Sequence, residues 1–109
     1  MGTLNYANAA ESIPMDDRLL AHVRTVAVAK LRRGESFALT LSTERVASET
    51  LWIHSAIPLR FDLEEDVSLD RDLLIAMMSA AASSRGLDLT DDRLLAPFAE
   101  TARPHALIA

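Results

Sequence analysis

The chain contains no cysteine, so it can hold neither a disulfide framework nor a thiolate metal site. Glycine is scarce, at Gly2, Gly34 and Gly86. With no Gly-x-Gly and no Walker spacing, phosphate binding through a glycine loop is excluded. The longest apolar run, Leu73 to Ala82, is broken by Ser79 and falls short of the roughly 20 residues that cross a membrane. It reads as a buried helix. The opening Met1-Gly2-Thr3-Leu4-Asn5-Tyr6 lacks the basic and apolar regions of a secretory signal, and Tyr6 stands where a myristoylation pattern needs Ser or Thr. These absences predict a cytoplasmic protein without a membrane association.

What is present fits one globular domain. Of 109 residues, 50% are hydrophobic and 25% are charged, ordinary values for a packed fold of this size. The formal net charge of -5 argues against a general nucleic-acid binder but leaves room for one basic face. The charge is uneven. Asp16 to Glu35 holds five basic residues against three acidic ones, and Asp62 to Asp72 holds six acidic residues against Arg71 alone. Two solvated faces account for this; complementary patches that meet within the chain or across a dimer are the sharper reading.

Periodicity supplies the elements. Thr3 to Tyr6 alternates as a half-buried strand does, Asn8 suits a turn, and Ser12 to Met15 returns as a short or edge strand because Pro14 has no N–H. Asp16 or Asp17 caps a helix in which Leu19, Leu20, Val23, Val26, Ala27 and Leu31 form one apolar stripe, with Arg18, His22, Thr25 and Ala29 opposite. Lys30, Arg32 and Arg33 fill its last turn, where cations complement the helix dipole, and Gly34 ends it. Ser36 to Thr43, Thr50 to Ser55 and Leu59 to Leu63 alternate as three strands of an antiparallel meander. Ser68 caps a second helix carrying Leu73, Leu74, Met77 and Ala81, closed by Gly86. Leu87 to Leu89 is a last short strand, and a short helix from Asp91 to about Phe98 accommodates Pro97 poorly.

The expected architecture is α+β: a curved, mainly antiparallel sheet of four to six strands with two main helices packed on one face. Residues 1–90 form the domain, and 91–109 form a short helix plus a mobile tail. One internal echo, Asp16-Asp17-Arg18-Leu19-Leu20-Ala21 against Asp91-Asp92-Arg93-Leu94-Leu95-Ala96, is read as a shared helix-start signal because the flanks do not match.

Few constellations carry chemistry. No two of His22, His54 and His105 are spaced as a helical metal pair; His22 and His54 would have to be brought together in space with a carboxylate. The chain has no Gly-x-Ser-x-Gly elbow, and Ser55 projects from a strand on the side opposite His54. The carboxylate groups Asp16/Asp17, Glu64/Glu65/Asp66 and Asp91/Asp92 lie at or near predicted helix starts, where capping explains them. No catalytic, cofactor or metal residue is assigned. The best functional candidates are the Lys30, Arg32 and Arg33 cluster, whose arginine forks suit phosphate or carboxylate, and the single tryptophan, Trp52, with His54 beside it as an interface. The apolar terminus His105 to Ala109 could dock on the domain or on a partner.

Asp16 to His22, followed by the block Lys30-Leu31-Arg32-Arg33-Gly34-Glu35-Ser36-Phe37, resembles an uncharacterised family of small actinobacterial proteins. Gly2-Thr3-Leu4-Asn5-Tyr6 is similar to that family's Gly-x-Leu-x-Tyr opening, and Trp52-Ile53-His54 with Pro58-Leu59-Arg60-Phe61 to its Trp-hydrophobic-His segment and following strand. The resemblance covers roughly residues 2–90; the segment from Asp91 onward departs from it. Members often carry the automatic label ATP-dependent DNA ligase. That chemistry places a lysyl-adenylate on a Lys-x-Asp-Gly motif, whereas the only lysine here reads Lys30-Leu31-Arg32-Arg33-Gly34, with no carboxylate in place.

The sequence therefore predicts a non-catalytic binding or adaptor module without a cofactor, self-associating through a sheet edge or the Trp52 face. The alternative is a nucleic-acid-associated accessory protein that uses the basic helix end. Phe37→Asp or Leu20→Asp is expected to unfold the protein, because an unpaired buried carboxylate costs several kcal/mol; loss of the cooperative thermal transition is the check.

Overall fold

A computed structural model describes residues 1–98. The strands are β1 (Gly2–Tyr6), β2 (Ile13–Met15), β3 (Phe37–Leu41), β4 (Glu49–Ile53), β5 (Leu59–Asp62) and β6 (Leu87–Asp88), and the helices are α1 (Asp17–Arg32), α2 (Arg71–Ala82) and the short α3 (Asp92–Leu95), which runs into a 3-10 turn at Ala96–Phe98. Among the described residues no helix is long and apolar enough to cross a membrane. The C-terminal tail and His105 lie outside the described residues.

The fold is α+β with six strands and two main helices, as the periodicities predict. The strands divide, however, into two three-stranded sheets, ordered β2-β1-β5 and β4-β3-β6. The expected meander stops after β4. β5 crosses to pair antiparallel with β1, Leu4 opposite Phe61, and the free side of β3 takes β6 in parallel, Leu39 opposite Leu87. Short loops favour neighbouring strands, but they do not choose between two edges of similar apolar pattern. One side-chain bond spans the two sheets: the Tyr6 hydroxyl donates to the Trp52 carbonyl at 2.8 Å.

Each helix boundary has a local cause. The Asp16 side chain caps α1 by accepting from the Leu19 amide at 3.1 Å. At the other end Gly34 takes φ +72°, the Gly34 amide donates to Leu31 and the Glu35 amide to Lys30, both at 3.0 Å. This is the paired closure that a left-handed glycine permits. α2 is capped by Asp70 rather than Ser68: its carboxylate accepts from the Asp72 and Leu73 amides at 2.9 and 3.2 Å. Gly86, at φ +76°, brings the start of β6 so close to β3 that a Cβ would meet the Ala38 carbonyl oxygen at 2.5 Å.

The core follows the predicted stripes: Leu20, Val23 and Val26 of α1, Phe37, Leu39 and Leu41 of β3, and Leu73 and Met77 of α2 are buried. His22 departs from expectation. It was predicted on the outer side of α1 and is fully buried, because that side packs against α2. Its Nδ1 lies 2.6 Å from the Arg18 carbonyl, and its Nε2 accepts from the Asp70 amide at 2.8 Å. These partners assign the tautomer with the hydrogen on Nδ1. Arg18 reaches the same residue, its guanidinium 3.3 Å from the Asp70 carboxylate. The solvent side of α1 is instead Arg24, Val28 and Arg32, all exposed at four-residue steps.

Replacing His22 by Leu keeps the volume but leaves the Asp70 amide without an acceptor. A loss of about 1–3 kcal/mol is expected, read from the shift in the denaturation midpoint at unchanged m-value.

Candidate functional site

The basic block at the end of α1 is divided by the geometry of the helix. Residues 30, 32 and 33 point in different directions on a 3.6-residue turn. Lys30 is buried, and its ammonium lies 3.0 Å from Glu35 Oε1, five residues on and past the Gly34 turn. Arg32 and Arg33 are exposed. The hydrogen bond from Lys30, followed by its charge, lowers the Glu35 carboxyl below its ordinary value of 4.5.

Lys30 and Glu35 form one wall of a surface hollow of about 460 Å3, with Ala38 and Trp52 on another and Ala82 of α2 and the following Ser83 closing it. The sheet supplies the aromatic by simple alternation. Leu51 and Ile53 of β4 face the core, while Trp52 faces out and stays 54% exposed, opposite Ala38 in the β3–β4 register. A small residue opposite a large one leaves the indole uncovered. On the same outer face the hydroxyls of Thr40 and Thr50 bond each other at 2.8 Å. The hollow thus offers an aromatic surface, one ion pair and small side chains, which suits an amphipathic contact.

His54 does not join it. The ring is half-buried and holds a turn, its Nδ1 accepting from the Ala56 amide at 2.9 Å. His22 has both nitrogens engaged at the α1–α2 joint, so the two histidines have separate structural duties. Ser55 is exposed. Among the described residues no three of His, Asp and Glu are grouped to hold a metal ion. Asp16, Asp17 and Asp91 accept from backbone amides, whereas the Glu64-Glu65-Asp66 run does not cap α2, which starts at Arg71 behind Asp70; Glu64 instead pairs with the Met1 amino group at 3.2 Å. Asp17 accepts from the Glu65 amide at 3.2 Å, and Asp91 accepts from the Arg93 amide at 2.9 Å.

Of the residues singled out from sequence, the structure brings Lys30 and Trp52 together and leaves Arg32, Arg33 and His54 apart from them. Glu35 and Ala38 are additions. Glu35 had a signal, an acid just past the helix-ending glycine and within reach of Lys30. Ala38 had none, since its contribution is to be small opposite Trp52.

Fold and surface define a small α+β protein in which a helix pair lies against two short sheets. The chain belongs to the family described as Domain of unknown function (DUF7882), whose model matches residues 1–92, from the first strand to the start of α3. No curated protein matches the chain, and no solved structure matches it.

The Lys30–Glu35 pair has a definite pH signature. The folded state favours the charged carboxylate more than the unfolded chain does, so the pair's contribution is complete above pH 4.5 and is lost as pH falls through the folded-state value. Carbon-detected NMR titration should find Glu35 below 4.5 in the wild type and raised towards that value in Lys30→Met.

Proposed function

We propose that this protein is a non-catalytic binding module that self-associates and presents the Trp52 hollow to a protein partner in the cytoplasm. The observation that carries the reading is Trp52 itself, 54% exposed on a strand whose other large apolar residues are buried. Tryptophan contributes more binding free energy at interfaces than most side chains, and the charged pair beside it can orient a partner. The duties of His22, His54 and Lys30 within the fold support binding over catalysis, because each is bonded to backbone or to a carboxylate.

Arg32 and Arg33 favour a second reading, a nucleic-acid-associated accessory role. Both are exposed, and neither enters an ion pair among the described residues. Contact with phosphates would be salt-sensitive and would weaken in Arg32→Ala/Arg33→Ala. A flat titration against DNA and RNA at low salt removes that reading.

The test of the leading reading is capture on the immobilised full chain, wild type against Trp52→Ala. Truncating an exposed side chain should leave the melting temperature close to that of the wild type, while a partner held by the wild type is lost. As the only tryptophan, Trp52 also reports directly: partner binding should shield its fluorescence from acrylamide. Equal capture by both chains, with no shielding, overturns the reading.

A further inference from the structure

Two surface hollows meet at the end of α2. The hollow beside Trp52 and a second one of about 430 Å3 share Ser83 and Gly86 in their walls. The second continues past Asp88 to Leu94 of α3. Together they make a trough that leads from the indole, past Ala38 and Gly86, to the helix from which the described chain leaves. Ala38 is small opposite Trp52, and Gly86 has no side chain because a Cβ there would strike the Ala38 carbonyl oxygen. Leu94 and Leu95 pack against the core, so α3 delivers the chain to the open end of the trough at a fixed place. Along the trough Arg85 pairs with Asp88 and Arg93 with Asp91. Beside the exposed Trp52, Glu35 gives one oxygen to Lys30 and keeps its side chain 48% exposed.

We infer that residues 99–109 are the occupant of this trough, with Leu107 and Ile108 against the Trp52 indole and Arg103 towards Glu35, so that the chain carries a tethered ligand which a partner must displace. The inference assigns a regulation to the hollow proposed above as the binding surface. It rests on that reading for the displacement, while the contact itself is independent of it. Reach is the first argument. The nine residues from Ala99 to Leu107 span up to about 30 Å, as much as the molecule's shorter dimensions of 30 and 27 Å. Composition is the second. Leu107 and Ile108 are the only large apolar residues of the segment, and they come late enough to arrive at the indole rather than at α3. Pro104, with its fixed φ, suits an extended path. Charge is the third. From Thr101 to Ala109 there is no acidic side chain, and Arg103 is the fixed cation, a complement to the open side of the Glu35 carboxylate. A tether also makes the docking intramolecular, at an effective concentration in the millimolar range, so a contact of small area suffices.

NMR on the full chain tests the contact. Leu107 and Ile108 methyls should show nuclear Overhauser contacts to the Trp52 indole and ring-current shifts that are unchanged by dilution. Leu107→Ser/Ile108→Ser should lower the docking constant about tenfold or more and raise acrylamide quenching of Trp52, while the methyl resonance of the buried Met77 stays in place. A peptide of residues 99–109 added to that variant should restore the shielding, and should leave the wild type unchanged because its trough is filled. Methyls without indole contacts, with equal quenching in wild type and variant, overturn the inference and leave capture through Trp52 to be judged by Trp52→Ala. Contacts that vanish on dilution refute intramolecular docking. Contacts made to Ile75 in place of Trp52 refute this surface.

Discussion

The amide of Asp70 donates to one acceptor, Nε2 of His22, and the position of α2 follows from that bond. His22 is placed by α1, which its own caps at Asp16 and Gly34 delimit. Asp70 is at once the N-cap of α2, the ion-pair partner of Arg18 and the donor to His22. Start, direction and charge of α2 are thus tied to one turn of α1. A buried ring that is half satisfied would cost more than an apolar side chain of the same size. Here both nitrogens have partners, so the joint is selective: α2 cannot slide by a turn without stranding Asp70, His22 and Arg18 together.

Because α2 starts there, its other end arrives at β3. Gly86 then turns the chain so tightly that β6 can add in parallel to the free side of β3, and the backbone comes within contact of Ala38. The same closeness shapes the outer surface. Ala38 is hemmed in by Gly86 on one side and lies opposite Trp52 on the other, so its small side chain both admits β6 and leaves the indole uncovered. The hollow beside Trp52 is a consequence of how the two ends of the helix pair meet the sheet.

Much of this was legible in the sequence where the cause is local. The alternation of Phe37, Leu39 and Leu41 placed β3, Asp16 and Gly34 bounded α1, and the spacing of Leu73, Met77 and Ala81 gave α2 its buried face. What was not legible depends on partners far along the chain. Nothing near Leu59 says that β5 pairs with β1 rather than with β4. His22 looks exposed on a helical wheel because a wheel knows one neighbour, the sheet, and α1 has two. Ser68 and Asp70 are both good caps by chemistry; only the amide bond to His22 decides between them. On the surface, Trp52 was recognisable by strand parity, whereas its hollow needs Lys30, Ala38 and the end of α2, which the fold alone collects.

The basic block illustrates how adjacency in sequence misleads about function. Lys30, Arg32 and Arg33 read as one cationic patch, yet a helix of 3.6 residues per turn sends Lys30 inward and leaves the arginines outside. Lys30 is paired with exposed Glu35 across the glycine turn, which makes that turn part of an electrostatic contact as well as a stop signal. The net positive charge of the block in solution is therefore smaller than its composition implies, and it belongs to the solvent side of α1, on the same line as Arg24. That placement separates two surfaces. The sheet side offers an aromatic and one internally compensated ion pair, suited to a partner read by shape. The helix side carries exposed Arg24 and Arg32 on either side of Val28 along α1, beside the uncharged Ile75 and Ser79 of α2. One small fold can present both because the α1–α2 joint, which ties Arg18 and His22 to the cap Asp70, leaves the outer side of the helices turned away from the Trp52 face of the sheet.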